Sequence, residues 1–308
     1  MAKLLFTDNI GFQMADWKLK QHQIREVYAG MDCIMVLTDD GRVLQKIDDP
    51  GFAARTEYWT RIQQVAISHS LSGLAVGLVA DGTCMVSKRA LRAWTNRERN
   101  NDSLPYDIVH DTVRSWTGIV QVAVSDAFFA LDREGKVHYS PLTRYAREDY
   151  LETVTWRNIR RIVAATPHAI FGITEQGNVL ATGFAVGARG ANGDIRGKLA
   201  QETGVTDVFP TGSECEDIIV AYRDGTARSI FSGTEMPAFS ALPQDPARKQ
   251  KILDGNFWYS VFGLTPSLNL CKYQDKEQKP VFPGAGQIRS FAVGQHDYSE
   301  PFVIAVAE

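Results

Sequence analysis

The chain has 308 residues, 44% of them hydrophobic and 22% charged, which is the balance of an ordinary soluble globular protein. That composition excludes a disordered chain, a collagen or coiled-coil rod and a multi-pass membrane protein. Lys and Arg number 33 against 36 Asp and Glu, a formal net charge of −3, which argues against nucleic acid as a partner.

Met1–Asn9, MAKLLFTDN, carries one lysine and the short apolar run Leu4, Leu5, Phe6. A secretory signal needs a longer apolar core and a small-residue cleavage site, so none is read here. No stretch approaches the roughly 18 apolar residues of a membrane span, so no membrane partner is expected. Lys3–Phe6 reads instead as a strand. The expected location is the cytoplasm, or the host cytoplasm or a virion for a viral protein.

Next come four segments that share a strand-forming run, a polar-Gly turn and a second apolar run: 27–45, 65–87, 122–140 and 162–183. A looser fifth copy spans 208–229. The turn glycines Gly41, Gly82, Gly135, Gly177 and Gly225 are spaced 41, 53, 42 and 48 residues apart. Gly after Asp, Glu or Gln between two β-rich runs predicts a tight hairpin, because Gly supplies the positive φ such turns require. Ahead of three copies stands the same element: Trp59-Thr-Arg-Ile62, Trp116-Thr-Gly-Ile119 and Trp156-Arg-Asn-Ile159. These tryptophans directly precede core strands and are expected to pack.

Two weaker copies follow. Residues 252–273 keep the outline with Pro266-Ser267 in place of the Gly turn, and residues 288–308 supply two strands before the chain stops. The missing strand is expected from Lys3–Phe6. Seven copies in 308 residues give 44 residues each, the size of a propeller blade. The expected architecture is all-β: a single domain, residues 1–308, forming a seven-bladed β-propeller closed by pairing of the N- and C-terminal strands. Burying two of Leu4, Leu5 and Phe6 at the closure would contribute about 3–6 kcal/mol.

The recurring pattern V-x-A/V-x-G-x-x-(H)-x-x-x-L-x-x-D-G-x-V resembles the RCC1 repeat, named after the regulator of chromosome condensation. Its best copies are Val27–Val43 and Val65–Cys84, with Ile162–Val179 close behind. The family's Gly stands at Gly30, Gly212, Gly255 and Gly294, and its His at His69, His168 and His296. The resemblance implies a seven-bladed ring that presents loops to protein partners, such as a small GTPase with chromatin or an enzyme that the ring inhibits. It also implies that each His pins a loop of its own blade rather than joining a metal or catalytic triad.

Cys33, Cys84, Cys215 and Cys271 are widely spaced and form no CxxC, so neither a zinc site nor a redox pair is expected. Buried free thiols are. Asp39, Asp40, Asp81, Glu134 and Asp224 precede turn glycines, a position that Asp favours, and fall one site per blade, too far apart for acid/base work. No P-loop, GxSxG or HExxH motif is present. No catalytic residue, metal or cofactor is expected.

Two insertions depart from the repeat. Residues 88–115 open with KRALRAWTNRER, placing Arg89, Arg92, Arg97 and Arg99 around Trp94, with Tyr106 following. Arg, Trp and Tyr are the usual interface hot-spot residues. Residues 184–202 are Gly-rich and carry Arg189 and Arg196. The stretch 232–251, with three prolines, reads as a surface loop. These eight residues are the candidate partner-binding set of a non-enzymatic interaction module: an inhibitor, an adaptor or a subunit of a larger assembly such as a virion. The alternatives are a carbohydrate- or small-molecule-binding propeller and, behind it, a propeller lyase or hydrolase.

Overall fold

The structure, a computed structural model, describes residues 3–10, 23–30, 33–47, 55–68, 74–87, 106–142, 146–165, 169–183, 186, 195–211, 217–233, 235, 253–255, 261–265, 267–274, 277–294 and 302–308. Its strands form seven antiparallel sheets, the blades. Blade one is β2 (Ile24–Gly30), β3 (Cys33–Thr38) and β4 (Val43–Ile47). Blade two is β5 (Ile62–Ile67), β6 (Ala75–Val79) and β7 (Cys84–Val86); blade three is β8 (Ile119–Val124), β9 (Ala127–Asp132) and β10 (Val137–Pro141). Blade four is β11 (Ile159–Ala165), β12 (Ala169–Thr174) and β13 (Val179–Thr182); blade five is β14 (Val205–Thr211), β15 (Asp217–Tyr222) and β16 (Ala227–Ser229).

Blade six carries a fourth strand: β17 (Leu253–Gly255), β18 (Val261–Leu264), β19 (Leu270–Gln274) and β20 (Glu277–Pro280). Blade seven joins β21 (Ile288–Gly294) and β22 (Phe302–Ala307) to β1 (Lys3–Phe6). The terminal strands therefore pair as expected, antiparallel, from Lys3 opposite Ala307 to Phe6 opposite Ile304. Their burial is smaller than expected. Leu4 is buried, Leu5 half-buried and Phe6 44% exposed: Leu4 and Phe6 share one face of the strand, and only Leu4 joins the cluster formed with blade one. The apolar gain from the terminal strand is thus nearer one side chain, about 1.5–3 kcal/mol, with the ladder hydrogen bonds added.

The middle strands explain the continuous apolar runs. All six residues of β3 and β22 and all five of β6 are buried, since a middle strand is covered by a neighbouring blade on each face. Six hydrophobic clusters of described residues fill the seams between blades. One of them joins Leu4, Phe302 and Ile304 of blade seven to Val27, Ile34 and Val36 of blade one.

Main-chain hydrogen bonds tie blades one to five in succession, and blade six to blade seven. The Gly41 carbonyl accepts from Ile62 N at 2.9 Å, Gly82 from Ile119 at 2.9 Å, Gly135 from Ile159 at 3.1 Å and Gly177 from Val205 at 3.0 Å. Gly177 shows why the residue must be glycine. Its φ is +87, and a Cβ there would lie 2.8 Å from Gly204 Cα of blade five. Blade six keeps the same turn without glycine: Leu268, at φ 62, takes that place and its carbonyl accepts from Ile288 N at 2.9 Å.

A β-bulge opens the first strand of six blades, between Ile62 and Gln64 in blade two and Ile119 and Gln121 in blade three, for example. It turns a polar side chain toward the next blade. The Gln121 amide donates to Ile162 O at 2.7 Å and accepts from Ile162 N at 2.9 Å; Gln64 makes the same pair with Val122 at 3.3 and 3.2 Å. Arg161 reaches Asp207 at 2.6 Å, and Ser290 Oγ accepts from Val27 N at 3.3 Å. The unpaired edges of the first strands are thus satisfied by side chains of the neighbouring blade.

Three outcomes are expected. Deleting residues 1–8 lowers the urea midpoint sharply, read by circular dichroism. Gln121→Leu strands the Ile162 amide and carbonyl and costs about 2 kcal/mol, whereas Gln63→Leu, with an exposed side chain, leaves the midpoint unchanged. Arg61, at φ 58, stands where blades three and five have Gly118 and Gly204, so Arg61→Gly stabilises by about 1 kcal/mol in the same assay.

Candidate partner-binding surface

Arg89, Arg92, Trp94, Arg97, Arg99 and Arg189 lie outside the described residues, as do His69, His168, His296 and Cys215. Tyr106 is the first residue of the helix Tyr106–Arg114, and Arg196 lies on the helix Ile195–Leu199. The turn carboxylates serve their own hairpins, as expected. Asp81 accepts from Thr83 N at 3.0 Å and Oγ1 at 2.6 Å, and Asp224 does the same with Thr226 at 2.9 and 2.7 Å. Cys33, Cys84 and Cys271 are free and buried, and burial pushes the Cys84 thiol up to about 12.

The connectors between blades two and five form helical segments on the outer rim. Tyr106–Arg114 carries Asp107 in its first turn and Arg114 in its last, the order that the helix dipole favours. Val109 and Val113, one turn apart, are buried between β7 and β10, while Ile108 is 57% exposed. Beyond β10, the 3-10 turn Leu151–Thr155 is anchored by Tyr150. That residue is fully buried and donates its hydroxyl to Asp126; burial, then the Asp126 charge, pushes the phenol well above its ordinary value. Leu151 and Val154 are left 58% and 40% exposed.

Arg196 continues this surface. It pairs with Glu152 of the 3-10 turn, while Ile195 and Leu199 are buried beneath it. Lys198 Nζ lies 4.9 Å from the centre of the Phe231 ring, and Phe231 is 50% exposed. Ile108, Leu151, Val154 and Phe231 are therefore carried by neighbouring rim elements of blades three to five.

A cleft of about 550 Å³ on blade three is lined by Ser115, Trp116, Thr117, Gly118, Asp132, Arg133, Glu134 and His138. Comparison between blades explains it. Trp59 and Trp156 lie flat on Gly77 and Gly172, where a Cβ would come within 2.9 and 2.7 Å of the ring. In blade three the equivalent residue, paired with Val122 as Gly77 is with Val65, is Ala130. Its methyl group occupies the space the ring takes in the other two blades, and Trp116 lies instead beside His138, ring centres 6.1 Å apart.

His138 Nε2 is 2.7 Å from Asp132 Oδ2. Burial opposes the Asp132 charge, but the Lys136 and Glu134 amides and the His138 ring together hold its carboxyl below the ordinary range. Blade five departs further. Glu202 stands in the tryptophan position, accepting from Arg228 Nη2 at 2.6 Å and from the Tyr222 hydroxyl at 2.5 Å. Burial, and after it the Glu202 bond, pushes Tyr222 up to about 12. Neither Asp132 nor His138 stood out in the sequence. Aligning the copies would have marked them, since His138 and Arg228 fall where blades two and four have Met85 and Leu180.

No protein-family model matches the chain, and no curated relative matches it. Among solved structures it resembles Prp20p from Saccharomyces cerevisiae, described with its binding to Gsp1p and histones. The TM-score is 0.57 at 9% identity, over 92% of this chain and 82% of that one. It equally resembles yeast RCC1 (Prp20) bound to Kap60, with a TM-score of 0.57 at 10% identity, over 92% and 80%. At such identity the likeness concerns the fold: this chain folds as a seven-bladed β-propeller similar to that of RCC1.

Proposed function

We propose that residues 1–308 form a single ring that acts as a non-enzymatic protein-binding module through the outer rim of blades three to five. The observation that carries this reading is the exposure of Leu151, Val154 and Phe231 on rim segments joined by the Glu152–Arg196 and Lys198–Phe231 contacts, with Ile108 exposed on the helix that packs, like the Leu151–Thr155 turn, against β10. Exposed apolar side chains grouped with arginine and lysine are typical of a protein interface. Ile108 lies in insertion 88–115, and Arg196 and Lys198 lie in insertion 184–202, the two that break the repeat; Leu151 and Val154 lie between β10 and β11, and Phe231 follows β16. Arg89, Arg92, Trp94, Arg97, Arg99, Tyr106, Arg189 and Arg196 belong to this proposed interface.

The solved neighbours bind proteins, Gsp1p, histones and Kap60 among them, which supports a protein partner of this chain in an inhibitor, adaptor or subunit role. Trp59 and Trp156 are buried at the seams and are not sugar platforms, which favours this reading over the lectin-like one. Among the described residues no helix is long and apolar enough to cross a membrane.

The test places a photo-crosslinking residue at position 151, 231 or 44, with Leu44 the exposed control on blade one. The rim positions are expected to crosslink the partner and position 44 to stay silent. Leu151→Asp with Phe231→Asp then weakens partner binding by about tenfold or more, as loss of interface hot spots does. Equal crosslinking at all three sites, or unchanged affinity in the double variant, removes the rim from the interface.

A further inference from the structure

In an antiparallel pair, successive residues of a strand turn their main-chain groups alternately toward the partner and away from it. Thr7 N donates to Val303 O at 3.0 Å, which fixes the phase for β1. With Leu5 opposite Ala305 and Lys3 opposite Ala307, the main-chain groups of Lys3 and Leu5 face β22. The N–H and C=O groups of Leu4 and Phe6 therefore point out of the sheet edge, where no described residue bonds them.

The outer strands of the other blades each have a further neighbour. Helical segments pack against β7, β10 and β13 of blades two, three and four. On blade five Arg228 of β16 forms an antiparallel bridge with Glu235, and on blade one the Thr56 hydroxyl donates to Val43 O of β4 at 3.2 Å. Blade six goes furthest: β20 runs antiparallel along the outer edge of β19, from Cys271 opposite Pro280 to Gln274 opposite Glu277. β1 is the third strand of blade seven, as β19 is of blade six. The ring thus accommodates a fourth strand beside such an outer strand.

The side chains of β1 suit the same occupant. Leu5 packs half-buried against the cluster of blades six and seven, while Phe6, on the opposite face, is 44% exposed. An added strand finds apolar contact on both faces, and its main chain meets the donors and acceptors of Leu4 and Phe6. A helix cannot do this, because its own main-chain groups are already bonded within it. We infer that the outer edge of β1 is a docking site for an extended segment of a partner protein, which joins blade seven as a fourth strand with apolar side chains beside Leu5 and Phe6. The site lies on blade seven and does not depend on binding through the rim of blades three to five.

A short peptide of alternating valine and threonine is the probe, and site-resolved amide exchange by NMR reads its docking. The Leu4 and Phe6 amides are expected to exchange fast in the free protein and to slow about tenfold or more with saturating peptide, while Leu5 and Thr7 stay protected throughout. Phe6→Pro removes an outward donor without touching a bond to β22. It is expected to keep the melting temperature and to weaken peptide binding about tenfold beyond Phe6→Ala. A copy of the peptide N-methylated at every residue has no N–H to offer on either edge and binds about tenfold more weakly, a readout that needs no variant protein. Unchanged exchange at Leu4 and Phe6 with peptide, equal affinity of the two peptides, or equal binding by a folded Phe6→Pro and Phe6→Ala overturns the inference. So does protection of these amides that rises with protein concentration alone, which assigns the edge to a second copy of the chain.

Discussion

The hydrogen bond from the first residue of one blade to the turn carbonyl of the blade before it sets the terms for the rest of the ring. For Ile62 N to reach Gly41 O, or Val205 N to reach Gly177 O, the hairpin must hold a left-handed residue against its neighbour's backbone. Glycine meets both demands at no steric cost, which is why it recurs there. Leu268 shows that the geometry is retained when the residue is not, at an expense of about 1–2 kcal/mol for an L-residue in that region. Because the bond joins turn to strand start directly, connector length is free to vary. The uneven spacing of the turn glycines follows from that freedom.

Outside these bonds the seams share one plan with local substitutions. Tryptophan on glycine fills the seams before blades two and four. One methyl group at Ala130 alters this in blade three, where Trp116 and the Asp132–His138 pair border an open cleft. In blade five the same place is polar, and Glu202 is stabilised by charge-assisted bonds to Arg228 with Tyr222 beside them. Interiors pack so closely that a single carbon decides which arrangement fits.

Scaffold and surface are therefore separable. The inner strands and turns carry the inter-blade bonds, and the connectors carry helical segments that leave Ile108, Leu151 and Val154 exposed. The rim segments lie on blades three to five, away from the terminal-strand pairing of blade seven.

The sequence by itself determined the blade count, the hairpin positions and the pairing of Lys3–Phe6 with the last strand. All of these are written in local patterns: apolar runs, turn glycines and a recurring Trp-x-x-Ile. Arg196 was legible as a surface residue because its insertion breaks the repeat. The contacts that make sites were decided only in three dimensions. Asp132 meets His138 across a hairpin and Arg161 meets Asp207 across a seam, while Arg160 reaches the carbonyl of Val205, 45 residues away. The β-bulges set which side chains face each seam, and a one-residue offset reverses the face of every residue after it. Which of Leu4, Leu5 and Phe6 is buried was likewise left to the tertiary structure: Leu4 and Phe6 share a face of the terminal strand, and the neighbouring blade covers Leu4 alone.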